Sequence, residues 1–343
     1  MKKFYAMAVM TAMLVGATSC SNDDEMATPE GPEQSRSLNV ENVGVSALTR
    51  SGITANSFTS GETLGLYIYR GNGIANAYND ASSTIPTVNV PYVQGADGWS
   101  ATQPIILSSV VGKVYSYYPY AEGNDTQDGT AIPVSVAANQ GSGQSDGVKD
   151  VTEQSDYMYG TVVEGVSNKA PQVSLTMNHA LAMVSFKFVQ TSDATIKYPG
   201  EGKVSSIVLK NKSGKEAIKQ GDATMHIGTG AITGGTAGSI TLVPDASATL
   251  MDVTDAAKMP RLLVYPVTAL AADDAEVTVT VDGNDYTIAL PELAAGYVAG
   301  SNYLYTFTLK GTGLEVTNVA ITEWVDAEGG AGEIETPDDQ TKA

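Results

Sequence analysis

The chain has 343 residues, 38 Asp and Glu against 19 Lys and Arg, and a formal net charge of -19. A body that acidic repels phosphate backbones and does not dock on anionic lipid by charge, so nucleic-acid binding is excluded and any membrane attachment must be a covalent lipid. A hydrophobic share of 42% suits a globular body, the length suggests about two domains of about 150 residues each, and a single cysteine excludes an internal disulfide.

The chain opens with Lys2 and Lys3, an apolar run from Phe4 to Val15, and the small residues Gly16 to Ser19 before Cys20. This is the layout of a secretory signal peptide over residues 1–19, and the run is too short to span a bilayer comfortably. A lone cysteine directly after a small-residue cleavage site resembles the lipid-modified, palmitate-bearing cysteine of a bacterial lipoprotein. Ala17 suits that pattern, whereas Ser19 stands where Gly or Ala is usual. Ser21-Asn22-Asp23-Asp24-Glu25 is an acidic run similar to the export tag of Bacteroidetes surface lipoproteins. Residues 26–37 lack any apolar period and read as a flexible linker. Leu38, Val40, Val43, Val45 and Leu48 then form an apolar segment bounded by Arg50. Its alternation shifts phase at Asn42-Val43, which calls for a bulge.

Beyond Arg50 nearly every ordered segment has period two. Leu64, Leu66 and Ile68 share one face of Thr63–Tyr69, and Val114–Tyr120 is an aromatic strand. Val173–Met177 and Ala182–Val189 alternate again. Later runs cover Val204–Leu209, Ile240–Val243, Arg261–Val267, Glu276–Val281, Tyr286–Leu290, Tyr303–Leu309 and Leu314–Val325. Short β-branched and aromatic runs broken by Gly, Asn, Asp and Pro predict an all-β protein built of Greek-key β-sandwiches. Asp282-Gly283-Asn284-Asp285 reads as a hairpin turn. Helical pieces are expected only near Ala269–Ala275 and Pro291–Ala295. The polar stretch from Val189 to Gly202 marks a domain boundary, with a long hairpin inside one domain as the other reading. In Leu314–Val325, Leu314 and Val316 fall on one face, and Val319, Ile321 and Val325 on the other.

No constellation for catalysis stands out, so the chain reads as a non-enzyme. His179 and His226 have no His, Cys or Glu at metal-ligand spacing, which predicts no metal and no cofactor. No Gly-x-Ser-x-Gly elbow is present, and Gly200-Glu201-Gly202-Lys203-Val204 lacks the features of a phosphate loop. Asp273-Asp274 and Asp338-Asp339 read as loop charges. Tyr115, Tyr117, Tyr118 and Tyr120 admit two readings, a sugar-stacking platform or half-buried packing with wet hydroxyls, and packing is favoured.

Three ordered markers carry a family resemblance. The first is the lipoprotein start, the apolar segment ending in Arg50, and Phe58-Thr59-Ser60-Gly61-Glu62-Thr63-Leu64-Gly65-Leu66-Tyr67. The second is Ser155-Asp156-Tyr157-Met158-Tyr159-Gly160 followed by Val173 to Val184 with a His179-Ala180 junction. The third is Ala294 to Gly296, Tyr303 to Tyr305, and Ile321-Thr322-Glu323-Trp324. Together they resemble the fimbrillins, the FimA/Mfa-like pilins of Bacteroidetes type V pili.

The resemblance implies two tandem β-sandwich domains of Greek-key, transthyretin-like type over residues 51–190 and 191–325. They would follow a lipidated propeptide over residues 20–50 and precede an acidic tail over residues 326–343. It implies a cell-surface, outer-membrane lipoprotein precursor of a fimbrial subunit, lipidated at Cys20. An arginine-specific protease would cut between Arg50 and Ser51, remove the first strand, and leave a groove for strand exchange with other fimbrial subunits. Arg36 is the second choice, but a cut there would leave the apolar segment attached. Leu314 to Val325 is either the donor strand or the last strand of the C-terminal sandwich. A host or bacterial surface receptor would be a further partner if the subunit is adhesive. The alternative is a monomeric cell-surface glycan-binding lipoprotein.

Overall fold

The computed structural model describes residues 34–46, 58–71, 74, 76–79, 86–126, 129–140, 154–244, 250–255, 258–311 and 313–323. The signal peptide, Cys20, the Leu48–Ser51 segment, Val325 and the acidic tail lie outside them. Among the described residues the protein is all-β, with one short 3-10 turn at Glu122–Thr126. The segments expected to be helical are not. They meet instead through paired backbone bonds, Leu270 N to Leu293 O at 3.0 Å and Leu293 N to Leu270 O at 2.8 Å. Each is too short to repay the cost of nucleating a helix.

The N-terminal half builds an eight-stranded sheet. Its spatial order is Asn39–Val45, Gln172–His179, Met158–Gly160, Gly112–Tyr118, Thr63–Arg70, Val90–Gly95 and Gly98–Ser100, and Val163–Val166 also pairs with Gly112–Tyr118. The two ends of this order, Asn39–Val45 and Gly98–Ser100, come back into contact, so the sheet curls around an interior. Leu64, Leu66 and Ile68 point into that interior with Val40, Val43, Tyr92, Trp99, Val173, Leu175 and Met177. Tyr67, Tyr69, Tyr115 and Tyr117 point the other way, into a second and larger core shared with the C-terminal half. The sheet is therefore buried on both faces where these strands cross.

The C-terminal half contains a four-stranded sheet, in the order Arg261–Val264, Ala182–Gln190, Ser301–Lys310, Gly313–Glu323. A five-stranded sheet runs Asn284–Ala289, Ala275–Val281, Val204–Asn211, Ser239–Leu242, Asn139–Gln140. Val184, Phe186, Phe188 and Phe307 from the first meet Ile207, Leu209, Val277 and Val279 from the second in one core, the arrangement of a β-sandwich. The hairpin expected at Asp282-Gly283-Asn284-Asp285 forms, with Asp282 and Gly283 as its loop residues and Asn284 and Asp285 already in the returning strand. Both loop residues have positive φ, 46° and 78°, as a two-residue primed turn requires.

Strand pairing crosses the expected boundary at residue 190 in both directions. Ala182–Gln190 pairs with Arg261–Val264 and Ser301–Lys310, on the C-terminal side. Ile132–Val136 pairs with Lys219–Met225, and Asn139–Gln140 with Ser239–Leu242. Buried amides tie these crossings down. Gln140 donates from Nε2 to Leu263 O and accepts from Leu263 N, both at 2.9 Å, and Gln154 accepts from Ala137 N at 2.7 Å. Each side chain thus serves as one rung of a ladder, leaving few buried polar atoms unpaired.

Gly296 shows how closely the loops are fitted. Its φ is +63°, and a Cβ there would stand 1.9 Å from Val267 O. The clash is with backbone, so side-chain movement cannot relieve it. Gly296→Ala is expected to destabilise the protein by about 1–3 kcal/mol in chemical denaturation. An unchanged midpoint would contradict this placement.

Candidate functional site

The apolar segment before Arg50 forms the Asn39–Val45 strand at one end of the N-terminal sheet. It pairs in parallel with Gln172–His179 and, among the described residues, with no other strand. Leu38 and Val40 are 3% exposed and Val43 is fully buried, while Asn39, Glu41 and Asn42 face solvent. The phase shift read at Asn42-Val43 appears as a register shift: Val40 faces Val173, Asn42 faces Ser174, and Glu41 is the extra residue between them. This bulge keeps Val40 and Val43 on the inner face despite their odd spacing. Leu38 N donates to Ile105 O at 2.8 Å, and Tyr92 Oη donates to Leu38 O at 3.2 Å. At the far end Ser46 N donates to Met177 O at 2.7 Å. Arg36 and Ser37 pair with Leu107 and Ile106 ahead of the buried residues, so a cut after Arg36 leaves the buried strand in place.

The strand closes the curled sheet where its two ends meet. Burying Leu38, Val40 and Val43 contributes roughly 5–9 kcal/mol as an upper figure. That is comparable with the whole net stability of a typical domain. Its polypeptide link to the rest runs through residues 47–57, which contain Arg50.

The second sequence-predicted element, Leu314 to Val325, forms an edge strand over Gly313–Glu323, antiparallel to Ser301–Lys310. In this structure it is the last strand of the C-terminal sheet. The division of its apolar residues between two faces is corrected here. The register shifts at Thr317, so Leu314, Val316, Val319 and Ile321 stand opposite Leu309, Phe307, Tyr305 and Tyr303, all of which point into the core. A phase break of the same kind as that at Asn42-Val43 was the available signal. Coverage is poor: Leu314, Val316 and Val319 are only partly buried and Ile321 is 60% exposed. An open cleft of about 710 Å3 runs between this strand and Thr287–Pro291. The two elements thus differ in kind, a strand whose inner apolar residues are buried and a strand whose inner apolar residues are only half covered.

His179 ends the strand that receives Asn39–Val45. Its Nδ1 lies 2.8 Å from Asp156 Oδ2, and Ala180 N donates to Tyr157 O at 2.8 Å. This fastens the end of the receiving strand to residues 156–157, a packing role. His226 Nδ1 accepts from Gly228 N at 3.0 Å within a turn. No cluster of His, Cys, Asp or Glu fit for a metal occurs among the described residues.

The tyrosine row is not an open platform. Tyr115 and Tyr117 are buried, and Tyr117 Oη donates to Asn89 Oδ1 at 2.7 Å and accepts from Asn124 Nδ2 at 3.0 Å. Burial pushes the Tyr117 hydroxyl pKa up. Its hydroxyl is bonded inside the protein, where sequence reasoning left it wet. Tyr118 is spent on Phe58, at 5.3 Å edge to face, and on Glu62, to which it donates at 2.8 Å.

Known proteins resemble the chain along most of its length. A fimbrium subunit of Bacteroides uniformis, provisionally described as Fim1C, is 26% identical over 93% of this chain and 94% of its own. A structure described as that of a prospective cell adhesion protein from Bacteroides ovatus superposes with a TM-score of 0.60, at 17% identity, over 85% of this chain and 99% of that one. Another so described, from Bacteroides uniformis, gives 0.55 at 22% identity over 78% and 94%. At these identities the structures speak for the fold alone. The fimbrillin-like family model matches residues 49–324, from one residue before Arg50 to one residue past the C-terminal strand. The chain belongs to the fimbrillin-like family, a family of fimbrial proteins and not of enzymes.

Proposed function

We propose that this chain is the precursor of a structural subunit of a cell-surface fimbria that assembles by exchanging strands. The precursor is a lipoprotein acylated at Cys20 and carried to the outer membrane. An arginine-specific protease cuts between Arg50 and Ser51 and severs the Asn39–Val45 strand from the body. The groove so opened is refilled by the C-terminal strand of another subunit, Leu314 onward and reaching toward Val325.

The observation that carries this reading is the position of Val43. It is fully buried in a strand that belongs to the propeptide side of Arg50 and that, among the described residues, pairs with one neighbouring strand. Loss of that strand uncovers Val173, Leu175 and Met177 and leaves one side of Gln172–His179 without ladder partners. Unpaired backbone groups and bared apolar area together favour any strand that fits. Parallel pairing is slightly the weaker kind per residue, which eases departure of the first strand once it is cut. The C-terminal strand is suited to leave its own edge. Passing from half-covered to fully buried gains about 1 kcal/mol per apolar side chain.

The geometry gives the glycan-binding alternative little support, because the tyrosines that would stack on sugar are committed to internal contacts.

Two measurements test the proposal. Digestion of the purified precursor with an arginine-specific protease is expected to remove residues up to 50 by intact mass and to produce oligomers in size-exclusion chromatography. Arg50→Ala should stay full-length and monomeric under the same treatment. A wild-type protein cut at Arg50 that remains monomeric at high concentration contradicts strand exchange. Val43→Asp in the uncut precursor places a carboxylate in the apolar interior and is expected to lower stability by several kcal/mol. It should also promote association without cleavage. Glu41→Ala, at the exposed bulge, should fall within about 0.5 kcal/mol of wild type. Equal effects at the two positions would reject the burial pattern on which the plug depends.

A further inference from the structure

The removable strand and the C-terminal edge strand carry one sequence pattern. Leu38-Asn39-Val40-Glu41-Asn42-Val43-Gly44-Val45 and Leu314-Glu315-Val316-Thr317-Asn318-Val319-Ala320-Ile321 agree at the first, third, fifth and sixth positions. The seventh is small in both, and the eighth is β-branched in both. The bulge agrees as well. The extra residue is the fourth of the pattern each time, Glu41 between the Val40–Val173 and Asn42–Ser174 pairs, and Thr317 between the Val316–Phe307 and Asn318–Thr306 pairs. One strand pairs in parallel and the other antiparallel, in different sheets, with different neighbours. A bulge kept at the same residue across such unlike settings belongs to the segment itself. In both, it puts positions one, three, six and eight on a common inner face.

The pattern also carries a direction. The inner positions are spaced two, three and two residues apart, which reads the same from either end. The residues between them do not. Entry in the propeptide's own direction puts Ala320 where the buried Gly44 lies and Glu315 where the exposed Asn39 lies. Reversed entry puts the Glu315 carboxylate at the Gly44 position, a buried spot on the outer side of the strand beside Thr176 that holds no side chain.

We propose that residues 314–321 of a second copy of this chain enter the groove left by residues 38–45 in the same direction and register, parallel to Gln172–His179. Val316 then faces Val173, Asn318 faces Ser174, Val319 faces Leu175, Ala320 faces Thr176 and Ile321 faces Met177, with Thr317 as the bulged residue. This rests on the strand-exchange reading above and adds to it the donor's residues, their orientation and the identity of the partner.

Two experiments test it. In the first, residues 38–45 of the precursor are replaced by the sequence of residues 314–321, or by that sequence reversed. The forward graft is expected to melt within about 3 °C of wild type, and the reversed graft at least about 5 °C lower. Equal melting of the two grafts overturns the assignment without any appeal to polymerisation. The second uses cleaved protein, in which no natural cysteine remains because Cys20 departs with the propeptide. Subunits carrying Ser174→Cys are mixed with subunits carrying Asn318→Cys, and Thr176→Cys with Ala320→Cys, then oxidised and run on non-reducing gels. Disulfide-linked dimers are expected for both mixtures. Oligomers that cross-link instead between Thr176→Cys and Glu315→Cys overturn the direction while leaving strand exchange in force. Oligomers that cross-link in none of these mixtures overturn the choice of donor residues. Absence of oligomers after cleavage overturns the exchange and this proposal with it.

Discussion

The N-terminal half depends on one ladder, the parallel pairing of Asn39–Val45 with Gln172–His179. The curled sheet has two ends, and they approach each other across this strand. A sheet closed in this way needs its last strand for two reasons at once. Backbone groups along Gln172–His179 need partners, and the interior lined by Leu64, Leu66, Met177 and Trp99 needs its lid of Leu38, Val40 and Val43. Both needs fall on a segment whose connection to the rest passes through Arg50. The proposed cut there would change no side chain in the core, yet would remove the interaction on which closure rests. The assembly switch we propose would require no ligand and no catalytic group in the subunit itself.

The C-terminal strand is the counterpart of this lid. Its inner residues rest on Tyr303, Tyr305, Phe307 and Leu309, and among the described residues no strand pairs with its other edge, which faces the open cleft toward Thr287–Pro291. Exposed edges with apolar residues are normally avoided because they invite pairing with another chain. Here Ile321 is left largely uncovered. In the proposed assembly, an edge that invites pairing in one subunit and a groove that requires it in another would be complementary halves, joined by burial.

Much of this was legible in the sequence, because period two and turn residues report directly on pleated sheets. The longer strands, such as Thr63–Arg70, Gln172–His179, Ala182–Gln190, Ala275–Val281 and Ser301–Lys310, the turn at Asp282-Gly283 and the bulge at Asn42-Val43 follow from local pattern, whereas the strands at Val90–Gly95, Met158–Gly160 and Ile232–Ala237 do not stand out in it. The same pattern at Leu314–Ile321 was misread as two faces, since a bulge is visible only once a neighbour's register is known. The crossing of Ile132–Val136 and Asn139–Gln140 into the C-terminal sheets was not legible either. Strand order is set by contacts distant in sequence, and the side chains that secure it, Gln140 and Gln154, are polar residues in what reads as loop. The tyrosine row gave the right residues and the wrong environment, because a tyrosine in a strand looks alike whether its hydroxyl meets water or Asn89.

The most direct measurement of the central claim is hydrogen exchange at the backbone amides of Gln172–His179. In the uncut precursor the amides directed at Asn39–Val45 should be protected. In dilute cleaved monomer, freed of the propeptide, those same amides should exchange rapidly, and in the assembled oligomer protection should return. Undiminished protection in the cleaved monomer would mean that the strand is not the plug of the groove, and would contradict the account.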